Sequence, residues 1–148
     1  MEKSGFIAKF YDRAYEDKSI EELVAAPVSA ISGVSESDAE DLRKAFGIDS
    51  VDDLAANKYV TFAQGISCLS EWSGQIEDEV FKSDLYKNLA KKPVSAISGV
   101  SEKDAALLKR AFGIDNVKEL AENKYVLIAQ TTVALASMVQ LLRAAGII

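Results

Sequence analysis

Histidine is absent from this chain and cysteine occurs once, at Cys68. Without an imidazole no Ser-His or Cys-His nucleophile can be assembled, and the commonest transition-metal ligand is missing. A lone thiol forms no intramolecular disulfide, so a reducing cytoplasm is the expected compartment. Cys68 itself lies in an apolar segment, where it reads as a small core residue rather than a reactive thiol. Prolines are equally scarce, two in 148 residues, and with only eight glycines they leave no room for long disordered linkers. The start, Met1-Glu-Lys-Ser-Gly, lacks the charged and then apolar run of a secretory leader. No Gly-rich phosphate loop of the Walker or Rossmann kind occurs. The acidic runs Glu77-Asp-Glu79 and Asp52-Asp53 put their carboxylates at adjacent helix positions, which point apart, so they read as solvated helix starts and not as acid–base pairs. No catalytic residue, metal site or cofactor is therefore expected. No stretch alternates with period two for long, which excludes a sheet and leaves an all-α fold.

What the chain has instead is an internal repeat, and such a period has to be read before anything else. Pro27-Val-Ser-Ala-Ile-Ser-Gly-Val-Ser-Glu36 returns letter for letter from Pro93 to Glu102. The likeness continues through Ala45-Phe-Gly-Ile-Asp49 and Ala111-Phe-Gly-Ile-Asp115 to Asn57-Lys-Tyr-Val60 and Asn123-Lys-Tyr-Val126, at a constant offset. About two thirds of the positions match. The expected organisation is thus 1–74 and 75–148, with one shared core. Charge is unevenly divided: residues 9–74 carry 13 acidic against 6 basic side chains, whereas residues 75–140 carry 9 of each.

Local signals place the helices. Phe6, Ile7, Phe10, Tyr11 and Ala14 form one apolar stripe, so residues 4–16 are expected as a single helix capped by Ser4. Ser19 with Glu22 reads as a capping box for a short helix that Pro27 stops, followed by one helical turn over 28–32. Gly33 ends that turn, and Ser35 with Asp38 opens the next helix, which carries Ala39, Leu42, Ala45 and Phe46. Gly47 and Gly113 stand where a left-handed residue closes a helix, each followed by an isoleucine that supplies the usual hydrophobic contact. Asp49-Ser50 caps a short helix, Asn57 breaks it, and Tyr59, Phe62, Ala63, Ile66, Leu69 and Trp72 mark a longer one. The second copy repeats the plan, with Ile76, Val80 and Phe81 standing where Phe10, Ala14 and Tyr15 stood. The last helix, from Tyr125 to about Ala145, is the most apolar. Its apolar run is interrupted by Gln130, Thr131, Thr132, Ser137, Gln140 and Arg143, short of the roughly 20 apolar residues of a membrane span. It is expected as the buried, central helix of the bundle, with no membrane partner.

Ala30-Ile-Ser-Gly-Val-Ser-x-x-Asp-Ala-x-x-Leu-x-x-Ala-Phe-Gly-Ile-Asp, continuing to Leu54, and its twin from Ala96 to Leu120 resemble the helix-hairpin-helix family. The resemblance covers roughly residues 28–55 and 94–121 and implies two pseudo-symmetric lobes of about five helices each, packed about a twofold axis. In nucleic-acid-binding members the Gly-apolar-Gly hairpin presents backbone N–H groups at a helix N-terminus to a phosphate. Carried over, those positions are Gly33, Val34 and Ser35, and Gly99, Val100 and Ser101. Both copies depart from the pattern, because the second Gly is a serine and Glu36 or Glu102 follows it, a carboxylate where a phosphate would sit.

Two functions follow as expectations. The first is a non-catalytic protein-interaction or scaffolding module, with a protein partner or a second copy of itself, since Leu127 and Leu107 stand where the first copy has Thr61 and Asp41. The alternative is non-sequence-specific nucleic-acid binding through the second hairpin, around which Lys103, Lys109 and Arg110 gather with Lys87, Lys91 and Lys92. The net charge of −6 opposes it. An apolar ligand pocket between the lobes is a third reading, for which the sequence offers no signal.

Overall fold

The computed structural model describes residues 5–73 and 84–148, and among them the regular structure is helical, with three isolated bridges and no strand. Helix α1, Phe6–Phe10, is shorter than expected. The chain turns extended at Tyr11 and Asp12 before a 3-10 turn, Arg13–Tyr15. The helix is interrupted because its backbone has a better partner: Asp12 N–H donates to Ala30 O at 2.9 Å and Ser32 N–H to Phe10 O at 2.8 Å. Tyr11 is thereby buried, its hydroxyl 2.6 Å from Thr132 Oγ1. The suggested cap Ser4, and Ile76, Val80, Phe81 and the run 77–79, lie outside the described residues.

The other short elements form where their caps predict. Helix α2, Ile20–Val24, is opened by the Ser19/Glu22 box. A 3-10 turn over Val28–Ala30 leads to α3, Glu36–Phe46, opened by the Ser35/Asp38 box. Gly47 closes α3 in the left-handed region with φ 69°, and Ile48 behind it is buried. Helix α4, Val51–Ala56, starts at Ser50 with Asp53. Asn57 does more than break it: its side-chain oxygen accepts the N–H groups of Tyr59 and Val60 and so caps α5, Lys58–Trp72. The second half gives α6, Leu85–Ala90, a 3-10 turn Val94–Ala96, α7, Glu102–Phe112, and α8, Val117–Glu122. Gly113 has φ 70°, and Asn123 caps the last helix, α9, Lys124–Ala144.

Buried positions recur at the repeat offset, in Val28 and Val94, Leu42 and Leu108, Ile48 and Ile114, Val51 and Val117, Leu54 and Leu120, Val60 and Val126. They belong to one hydrophobic cluster. Helix α3 packs on α7. The long helices cross over: α5 packs on α8 and α6, and α9 packs on α4 and α2. At their crossing the Gln64 and Gln130 amides exchange hydrogen bonds of 2.8 Å in both directions, and each Nε2 also reaches a short-helix carbonyl of the opposite half, Ala121 O or Ala55 O, at 3.3 Å.

Two expectations of burial are corrected, for α9 and for Cys68. Helix α9 buries one face only, through Val126, Ala129, Thr132 and Ala136. Its Leu127, Leu135, Met138 and Leu141 are exposed, because total hydropathy counts apolar residues without asking which way they face. It is long and apolar enough to cross a membrane by length and composition, and 28% of its most apolar window is buried. On α5, Phe62 and Trp72 are likewise exposed. Cys68 is exposed as well, since Ile66 and Ser67 take the inward positions and the next residue turns outward.

Candidate functional site

The two hairpins that precede α3 and α7 are built alike. Gly33 and Gly99 have φ of 96° and 94°, a region that suits only glycine, and they reverse the chain ahead of the helix. The next residue, Val34 or Val100, is buried and donates its N–H to Ile31 O at 3.1 Å or Ile97 O at 3.0 Å. The residue after that, Ser35 or Ser101, donates its N–H to the carboxylate of Asp38 at 3.1 Å or Asp104 at 3.2 Å. In return the serine hydroxyls accept the Asp38 and Asp104 N–H groups, both at 3.0 Å. Of the six positions the family resemblance assigns to a phosphate, the amides of Val34, Ser35, Val100 and Ser101 are thus engaged within the chain, and the carboxylates that engage two of them repel an anion.

Each glycine is also covered from the opposite half. The Tyr125 hydroxyl donates to Gly33 O at 3.4 Å and the Tyr59 hydroxyl to Gly99 O at 3.3 Å. A Cβ at Gly33 would lie 2.8 Å from the Tyr125 hydroxyl oxygen, and one at Gly99 2.7 Å from that of Tyr59. The tyrosines are held in turn by aromatic neighbours, Tyr59 by Phe46 at 4.7 Å and Tyr125 by Phe112 at 4.6 Å between ring centroids. The preceding lysines, Lys58 and Lys124, lie over the same rings at 5.1 and 5.0 Å. Beside the tyrosines open two clefts, one of about 620 Å³ reaching Phe6, Phe10 and Leu127, the other of about 480 Å³ reaching Phe62 and Ile97.

Two of the basic residues expected around the Gly99 hairpin, Lys109 and Arg110, are paired elsewhere. Lys103 is exposed on the first turn of α7. Lys109 pairs with Asp115 at 3.1 Å, and Arg110 reaches across to α3, where its Nε lies 2.9 Å from Asp41 Oδ2. Sequence reasoning missed Tyr59, Tyr125, Gln64 and Gln130 as hairpin and crossing contacts. The available signal was their identity in both copies, which marks a shared role without saying which half supplies the partner.

Asp41 is buried at 3% exposure, whereas Arg110 remains largely in solvent. The hydrogen bond from the Arg110 guanidinium, followed by its charge, holds the Asp41 carboxyl below its ordinary range against the opposing effect of burial. An Asp in the unfolded chain titrates near ~3.9. The pair's contribution to stability is therefore complete above that value and is lost as pH falls through the lower folded-state value. Asp41→Leu, which copies Leu107 of the second half, is expected to flatten the acid limb of stability. The check is the urea midpoint followed from neutral pH to below the carboxylate range; an acid dependence identical to wild type would contradict the assignment.

No family model, curated protein or solved structure matches the chain.

Proposed function

We propose that this chain is a non-catalytic protein-interaction or scaffolding module, made of two helix-hairpin-helix-like units that face each other across a pseudo-twofold axis. The reciprocal contacts support the pseudo-symmetric reading: Tyr59 to Gly99 answers Tyr125 to Gly33, Gln64 answers Gln130, and α5 on α8 answers α9 on α4. The observation that carries the functional reading is where unsatisfied surface remains. Four of the six hairpin amides are already bonded, those of Val34, Ser35, Val100 and Ser101, while Leu127, Met138 and Leu141 of α9 expose 47%, 59% and 69% of their surface. A protein face answers that pattern better than a phosphate backbone does.

Nucleic-acid binding makes the opposite demand and is tested directly. No shift of labelled duplex or single strand is expected at micromolar protein in about 50 mM salt, because affinity of that kind comes from neutralised phosphates. A salt-dependent shift that Lys103→Glu with Lys109→Glu abolishes would overturn the proposal. Arg110 is left unchanged in that variant, since it holds Asp41 and its reversal would damage packing instead of probing contact.

A further inference from the structure

We infer that the outer face of α9 is a self-association surface, occupied by the same face of a second copy of this chain running antiparallel. The inference rests on the reading of the protein as an interaction module and names its partner. Leu127, Thr131, Ala134, Met138, Leu141 and Ala145 are spaced alternately by four and three residues, the repeat of a two-helix seam, and all six are exposed. At about 100° per residue this seam lies on the opposite side of α9 from Val126, Ala129, Thr132 and Ala136, which face the core.

The seam is complementary to itself in one direction. Turned antiparallel about the level of Ala136, two copies bring Leu127 against Ala145, Thr131 against Leu141 and Ala134 against Met138. Every layer joins a large side chain to a smaller one, which is how facing positions interdigitate without voids or overpacking. Parallel pairing would stack like on like, Met138 on Met138 and Ala134 on Ala134. Charge points the same way, because Arg143 is the only charged residue between Leu127 and Ala145 and it is turned to Glu21 at 2.8 Å. Within the six seam positions a second copy therefore meets no charge, and Lys9 and Lys124 border only the Leu127 end. An anionic lipid surface would instead meet a protein of net charge −6, with Thr132 of the same helix tied to Tyr11.

The test uses the full chain in sedimentation equilibrium over a wide concentration range. A reversible monomer–dimer equilibrium is expected for the wild type. Met138→Glu with Leu141→Glu should be monomeric throughout, with unchanged helical circular dichroism and an unchanged thermal midpoint, since both side chains are already exposed. Direction is read by oxidation in a Cys68→Ser background. An equimolar mixture of Ala134→Cys and Met138→Cys chains should give the mixed disulfide several-fold more than either chain alone gives its own. A wild type that stays monomeric, a dimer that survives the double Glu variant, or disulfides that favour the homotypic pairs would each overturn the inference. So would a monomer that co-sediments with vesicles of phosphatidylcholine and phosphatidylglycerol. A monomer that holds a different protein on this face would sink the self-association alone, whereas a salt-dependent nucleic-acid shift would sink the module reading beneath it.

Discussion

Gly33→Ala and Gly99→Ala are expected to destabilise the protein by on the order of 2 kcal/mol each, through two effects that add. The first is backbone strain, because φ of 96° and 94° falls where a side chain is rarely accommodated. The second is collision, since the new Cβ would come within 2.8 Å of the Tyr125 hydroxyl or 2.7 Å of the Tyr59 hydroxyl. Gly47→Ala and Gly113→Ala provide the control. Their φ values of 69° and 70° carry strain, but a Cβ there meets nothing within 4 Å, so the loss should be nearer 1 kcal/mol. Denaturant midpoints would rank the four. Tyr125→Phe introduced into the Gly33→Ala chain should recover part of the loss by removing the oxygen that collides, and equal losses at all four glycines, with no recovery, would show that the tyrosines press on nothing.

The second large effect concerns where α9 is cut. Ending the chain before Tyr125 removes Val126, Ala129 and Thr132 from the core and takes away the partners of Tyr11, Gln64 and Gly33. An insoluble or uncooperative product is expected. Ending it after Val139 keeps all four buried residues of α9 and forfeits the exposed Arg143–Glu21 pair, an interaction of at most about 1 kcal/mol. That product should remain folded, with a cooperative transition by circular dichroism only slightly below wild type. If both products fold alike, the inner face of α9 contributes little to the core; if both collapse, the outer half carries packing that its exposure denies.

What could be read from the sequence was what is local. The Ser35/Asp38 box, the cap at Ser50 and the left-handed Gly47 and Gly113 are decided within four or five residues, and all of them form. The break after Phe10 could not be read, because the competing bonds come from Ala30 and Ser32, some twenty residues on. Exposure on α5 and α9 was hidden for a related reason: periodicity shows that a helix has apolar faces, and only the neighbour it meets decides which one is covered. Phe62, Cys68, Trp72 and Leu127 all fell on the uncovered side. At the hairpins the positive-φ glycines were legible and the tyrosines over them were not, since each tyrosine arrives from the other end of the chain.

That reciprocity limits how the two halves of the sequence can diverge. A change at Tyr59 is judged by the shape of the Gly99 hairpin, and a change at Tyr125 by that of Gly33. Neither half can alter the contact alone, so Asn-Lys-Tyr-Val and Ile-Ser-Gly-Val-Ser are locked to each other as a key is to its lock. Positions outside the reciprocal contacts carry no such obligation. Thr61 and Leu127 face outward, and there one copy was free to become greasy while its counterpart stayed polar.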